Sequence, residues 1–242
     1  MYWTDDGIVL AARKHGETSV ILTLLTRGHG RHLGLVRGGV GRRARGLLLP
    51  GNRVRATWRA RLAEHLGAFT CEPTAAVAAA VLGDRPRLAA LSAACAVAAT
   101  ALPEREPHGR LYDGLGALLA ALGGDGWAAE FVRFEVALLA DLGFGLDLSR
   151  CAATGTTEGL AWVSPKTGRA VSAAAGEPYR RKLLPLPPFL LDPARAAGPG
   201  EVAEGLRLTA HFLERHVYAP HDRKLPPARV RIEDLFPLPT NG

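Results

Sequence analysis

The chain has 242 residues, 48% of them hydrophobic and 22% charged, a balance that excludes a disordered protein. Its net charge of +7 is unevenly laid out: residues 1–61 carry 12 Lys and Arg against Asp5, Asp6 and Glu17, and the remainder carries 18 against 20 carboxylates. Three scattered cysteines argue against a disulfide framework, no leader peptide is expected at the N-terminus, and the uncharged run Leu88–Leu102 is shorter than the roughly 20 residues of a membrane span. A cytoplasmic, nucleoid-associated protein is expected.

Residues 7–72 read as five strands. Gly7–Arg13 is short and apolar. Ser19–Thr26 is rich in β-branched and apolar residues, and the turn Arg27–Gly30 leads into Arg31–Val36 as a hairpin. Gly51–Arg61 alternates, with Val54, Ala56, Trp58 and Ala60 on one face and Arg53, Arg55, Arg59 and Arg61 on the other. Leu66–Cys71 ends before Pro73. Five short strands suit a small closed barrel of the OB-fold kind.

Between Glu17 and Glu64 there is no carboxylate, yet Arg31, Arg37, Arg42, Arg43, Arg45, Arg53, Arg55, Arg59 and Arg61 all fall there. A genome rich in G and C explains Arg over Lys but not acids missing from one window. Such a stretch repels itself unless an anionic partner or a solvated face takes up the field, and nucleic acid is the expected partner. The outer face of the fourth strand and the Arg37–Arg45 loop are the expected contacts. Gly39-Val-Gly41-Arg-Arg-Ala44 matches a dinucleotide fingerprint only formally, since Arg59 stands where the ribose-binding acid belongs. Its glycines are read as a flexible, Arg-rich loop. Trp58 shares the apolar face and is read as core.

From Pro73 the period becomes helical. Asp84 caps a helix through Leu102, Leu111–Leu122 marks a second, and Trp127, Phe131, Phe134, Leu138 and Leu142 form the stripe of a third. Short connections imply a helical bundle. Residues 146–200 lose periodicity, Leu206–Val217 restores it, and the tail from Pro220 reads as poorly ordered. The expected plan is α+β: an OB barrel at 1–72, a bundle at 73–146, an irregular module at 147–200, and a last helix with tail at 201–242.

No nucleophile elbow or H-E-x-x-H motif occurs, His211 and His216 are wrongly spaced for joint ligation, and Cys71 and Cys95 sit in apolar runs, so no enzyme activity and no cofactor are expected. An RNA-binding or ribosome-associated OB-fold protein is the alternative reading of the same basic barrel.

Asp6–Leu10, Gly16–Ser19, Val36–Gly39, Leu49–Gly51, Phe134–Gly143, Leu148–Cys151 and Ser164–Gly168 together resemble the RecO family of bacterial DNA repair and recombination mediators. The resemblance implies binding of single- and double-stranded DNA and annealing of complementary strands, including strands coated by single-stranded DNA-binding protein (SSB). It implies RecR as a partner in loading RecA at gaps, and RecF as a further one. It implies an SSB-tail site on the helical domain; Arg133, beside the aromatic stripe, is the candidate for its positive rim, against the plainer reading of a solvated charge. It also implies a zinc module with two CxxC pairs, but Cys151 alone matches, with Thr154, Ser172 and Ala175 at the other positions. No metal is expected, and Cys151 is read as a remnant.

Overall fold

The computed structural model describes residues 1–237. The expected final segment therefore extends, at 238–242, outside the described residues. By compactness the chain divides into two units, Met1–Gly123 with Pro226–Arg229, and Gly124–Leu225 with the residues from Val230 on.

The first unit is built on a closed barrel of β1 (Tyr2–His15), β2 (Ser19–Thr26), β3 (Gly30–Val36), β4 (Arg53–Arg59) and β5 (Ala68–Ala75), in the order β1-β2-β3-β5-β4. This order is consistent with the expected OB-fold. β1 is longer than expected because one strand serves two neighbours. Tyr2–Ile8 pairs with β4, Gly7–His15 pairs with β2, and a bulge between Val9 and Ala11 bends it from one to the other. β5 also runs past the expected stop and includes Pro73. Every pairing is antiparallel except β3 with β5, which are parallel and matched only at Leu35 and Ala68. At that seam the barrel is at its thinnest.

Inward alternation fills the barrel with Val9, Leu22, Leu24, Val54, Ala56, Trp58 and Phe69. Trp58 is core, as its face predicted. It is 2% exposed, and its Nε1 donates to the Leu66 carbonyl at 3.0 Å. Burial holds His32 below the ordinary histidine range, so a neutral ring packs edge-on against Trp58 at 4.8 Å.

Between β3 and β4 lies a short helix, α1 (Arg42–Leu47), where a flexible loop was expected. After β5 come α2 (Val77–Val81), α3 (Arg85–Ala101) and α4 (Gly109–Ala121). Asp84 caps α3 by accepting from the Arg87 amide at 3.1 Å, with Pro86 in the first turn. The expected single bundle is thereby corrected: α3 and α4 belong to the barrel's unit and the third helix to the other. The Leu49-Pro50-Gly51 step shows how closely α3 packs. Gly51 has φ +86°, and a Cβ there would lie 2.3 Å from Leu91 Cδ1. Gly51→Ala is expected to cost about 3 kcal/mol from a disfavoured backbone region and overpacking together. Urea unfolding of the full chain measures it, and a cost below about 1 kcal/mol would show that Leu91 yields freely.

The second unit contains α5 (Trp127–Asp141), a three-stranded sheet of β6 (Leu160–Val163), β7 (Ala170–Ser172) and β8 (Leu184–Pro185) in the order β7-β6-β8, a turn α6 (Ala173–Gly176), and α7 (Pro199–Phe212), which runs on through Tyr218 in wider turns. The region read as irregular thus holds a small sheet. The stripe Trp127, Phe131, Phe134 and Leu138 is buried. α7 approaches α5 at Gly205, where a Cβ would lie 2.8 Å from Val132 Cγ1, and the Thr209 hydroxyl donates to buried Glu135 at 2.6 Å. α8 (Pro227–Glu233) corrects the reading of the tail as poorly ordered; Arg229 and Ile232 in it are buried.

A candidate nucleic-acid interface

The nine arginines of the acid-free window do not share one surface. On β4 the predicted alternation holds, with Val54, Ala56 and Trp58 buried, Arg53 half-buried, and Arg55 and Arg59 exposed. Neighbouring strands nevertheless return carboxylates to that face. Cross-strand register sets Arg55 between Asp6 on β1 and Glu72 on β5, and its Nη1 donates to Asp6 at 3.1 Å. Arg53 Nη2 donates to the Gly116 carbonyl of α4 at 3.1 Å, and Arg31 Nε donates to the Leu102 carbonyl at 2.8 Å. The Arg59 guanidinium lies 5.9 Å from the centre of the exposed Tyr2 ring. Arg31 on β3 and Arg53 on β4 therefore tie helices to the barrel, which leaves Arg55 and Arg59 as the exposed cations of the β4 face.

Of the remaining five, Arg61 is exposed in the bend after β4, away from the other four, which gather on one connection. Arg37, Arg42, Arg43 and Arg45, on the β3–β4 connection, are all exposed. That connection is anchored rather than floppy: the Val40 amide donates to the Thr18 carbonyl at 3.2 Å, which seats it on the β1–β2 turn beside exposed Arg13 and Lys14. Asn52 fixes its far end. The Asn52 side-chain amide donates to the Gly46 and Leu47 carbonyls at 2.8 and 3.2 Å, and its oxygen accepts from the Ala78 amide at 3.0 Å. One buried side chain thus clamps α1 to the start of α2. Asn52→Leu removes all three bonds, leaves buried amide and carbonyl groups unmatched, and is expected to cost about 3 kcal/mol. It is expected to weaken oligonucleotide binding as well, because the arginines lose their frame; unchanged urea stability would refute the clamp.

Three clefts surround α1. One, of about 340 Å³, has Lys14 and Arg45 on its walls; another, of about 550 Å³, lies between α1 and the β3–β5 seam and includes Arg37; the third, of about 720 Å³, includes Arg42 and Arg43. Cations distributed over an exposed, anchored cap with apolar clefts between them suit a polyanion carrying apolar groups.

The family description "Recombination protein O N terminal" matches residues 1–76, and "Recombination protein O C terminal" matches residues 82–225. The chain belongs to the RecO family. It is 56% identical over 238 residues to a DNA repair protein RecO of Rhodospirillum centenum, with 98% of this chain and 95% of that protein covered. Proteins of the same name from Rhodospirillum rubrum and Phenylobacterium zucineum are 57% and 55% identical, covering 95% and 97% of this chain and 94% and 97% of theirs. RecO membership supports a role in DNA repair.

In this RecO-family chain the second unit places Arg133 otherwise than as a free rim charge. Its guanidinium pairs with Glu130, donates to the Phe189 carbonyl at 3.1 Å, and lies 5.5 Å from the Phe189 ring centre. Arg133 therefore holds the segment after β8 against α5. His211 of α7 and His216 of its extension do not converge on a ligand either. His211 Nε2 donates to the Pro165 carbonyl at 3.1 Å, and His216 stacks on Phe144 at 5.1 Å. Cys71 and Cys95 are pushed up to about 12 by burial and are neutral thiols, as their apolar settings predicted.

Of the positions that the family resemblance assigns to zinc, Thr154 and Ser172 meet Cys151, but with the wrong donors. The Ser172 amide donates to Cys151 Sγ at 3.2 Å, and the sulfur lies in a turn closed by the Gly155 amide on the Cys151 carbonyl at 2.9 Å. One thiol, two hydroxyls and a methyl group do not make a tetrahedral zinc site. The Ser172 and Thr154 side chains instead hydrogen-bond to the sulfur and hold its pKa down at about 6. This lies below the roughly 8.5 of an unfolded thiol. The stabilisation is therefore complete above the unfolded value and lost as pH falls through about 6. Cys151→Ala is expected to cost more stability above that window than below it, and an equal cost at both ends, by urea unfolding, would mean that the thiol stays neutral.

Proposed function

We propose that this chain acts in DNA repair by binding single- and double-stranded DNA through the cationic cap around α1 and by pairing complementary strands. The observation that carries the reading is the grouping of exposed Arg37, Arg42, Arg43 and Arg45 on an anchored connection, in a chain of the RecO family. Neutralising two phosphate backbones lets complementary strands approach, and base pairing between the strands then supplies the sequence specificity. Such work needs no bond-making centre. Handing of SSB-coated strands to the protein, cooperation with RecR and RecF, and assistance to RecA are carried over on family likeness alone. The apolar-groove and positive-rim requirement of the SSB tail is not assigned to Arg133, whose donors face inward.

The test is annealing of complementary oligonucleotides by the full chain, with and without SSB coating, at several salt concentrations. Faster annealing that falls steeply with salt is expected. No acceleration of bare or coated strands would reject the reading, and acceleration confined to RNA would transfer it to the rival class.

A further inference from the structure

One edge of β5 is paired and the other is not. Residues 68–73 match Arg59–Val54 of β4 one for one, whereas β3 meets β5 only at Leu35 and ends at Val36. The Leu35 amide donates to the Gly67 carbonyl at 3.0 Å, so Gly67 faces β3. Strand alternation then turns the backbone groups of Phe69, Cys71 and Pro73 to the same side. Pro73 has no amide hydrogen, which suits an edge. On that side, the amide and carbonyl of Cys71 have no protein partner among the described residues. A groove opens there instead. The clefts of about 550 and about 720 Å³ share Ala44, Leu47 and Cys71, so they adjoin along β5 with α1 as the opposite wall. Leu47, Leu48 and the neutral Cys71 thiol make the groove apolar, and exposed Arg37, Arg42 and Arg43 border it. Glu72 alternates to the outer face of the barrel beside Arg55, so its carboxylate is not turned to these cations.

We propose that a partner protein adds an extended segment to the free edge of β5 in this groove, and that the segment alternates carboxylate with aliphatic side chains. An unpaired strand edge is a template for another polypeptide, whose own amides and carbonyls repeat at the same spacing. Successive side chains of an added strand point to opposite faces. One set therefore lies on Leu47, Leu48 and Cys71 and is aliphatic, while the other emerges among the three arginines and is acidic. Six residues span about 20 Å, enough to run along the second half of β5. A nucleic-acid strand is the poorer occupant of the edge, because it has no such row of donors and acceptors. The inference concerns a protein partner and does not depend on the DNA-binding reading above.

The experiment measures binding of the full chain, by fluorescence anisotropy, to a capped six-residue peptide in which Glu and Val alternate. A peptide with the same residues in two blocks, three Glu and then three Val, is expected to bind at least about tenfold more weakly, because it cannot place acid and aliphatic groups on opposite faces. Two N-methylated versions test the edge itself. In a strand the Val amides point one way and the Glu amides the other, so methylating one set is expected to weaken binding at least about tenfold while methylating the other is tolerated. Ala44→Trp, which fills the groove from the α1 side, is expected to abolish binding. Arg42→Gln with Arg43→Gln, both exposed, is expected to weaken it roughly threefold or more. No binding at about 1 mM peptide, equal affinity for the block peptide, or an equal effect of the two methylations would overturn the proposal. So would unchanged peptide affinity in an Ala44→Trp protein whose urea unfolding shows it to be folded. An oligonucleotide whose binding Ala44→Trp abolishes, in a chain that takes no peptide, would also overturn it and give the groove to nucleic acid.

Discussion

Reversing Arg42, Arg43 and Arg45 together to glutamate is expected to leave the chain folded and to remove most of its hold on single-stranded DNA. All three side chains are exposed, and among the described residues none takes part in an ion pair. Exposed residues of this kind alter stability by about 0.5 kcal/mol or less each. Their loss as phosphate partners is a larger matter. Three charge-assisted contacts replaced by three repulsions are expected to weaken binding by at least about a hundredfold at moderate salt. For single strands each contact contributes roughly 0.7 to the slope of log affinity against log salt, so neutralising the three to glutamine flattens that slope by about two. Titrations of one oligonucleotide at several salt concentrations measure both quantities. A variant that folds, binds as the wild type does and keeps its slope would move the interface away from α1 altogether.

The sequence exposes the barrel more readily than the site on it. β2 spans Ser19–Thr26, as expected, because a β-branched and apolar run broken only by Thr23 is bounded by turn residues on both sides. β4 was legible from its strict alternation. β5 was cut short at Pro73, yet beyond Ala68 it has no β3 neighbour, so a residue without an amide hydrogen is tolerated there. α1 was hidden by its six residues, three of them Arg and one Gly. Pro226-Pro227 looked like disorder, whereas Pro227 opens α8, where a missing amide hydrogen costs nothing. The surroundings of the arginines were hidden for a different reason. Charge separated along the chain is not charge separated in space: Asp6 and Glu72 stand far from Arg55 in sequence and next to it in the sheet. Only register reveals that, and only the helices reveal that Arg31 and Arg53 face backbone carbonyls.

The same geometry makes Arg53 a stability residue, with a large effect of its own. Arg53→Glu sets a carboxylate against the Gly116 carbonyl that Arg53 now satisfies, in a half-buried position. Two acceptors facing each other away from bulk water are expected to cost the barrel's unit about 3 kcal/mol. Arg55→Gln, which breaks only the exposed pair with Asp6, is expected to cost less than about 1 kcal/mol. Urea unfolding separates the two, and oligonucleotide binding by the folded fraction decides what Arg53 is for. A stable Arg53→Glu protein that no longer binds DNA would return Arg53 to the interface. Gly116 supplies the sharper arm of the test, since a Cβ there would stand 2.7 Å from Arg53 Nη2. Gly116→Ala is therefore expected to push the guanidinium off the Gly116 carbonyl and, while Arg53 is present, to stabilise α4 by less than the helix preference of alanine alone. In an Arg53→Ala background the clash is gone and only the helix preference of alanine inside α4 remains, which favours the substitution by up to about 1 kcal/mol. The gain from one substitution thus depends on its neighbour, which a residue serving only to meet phosphate in solution would not bring about.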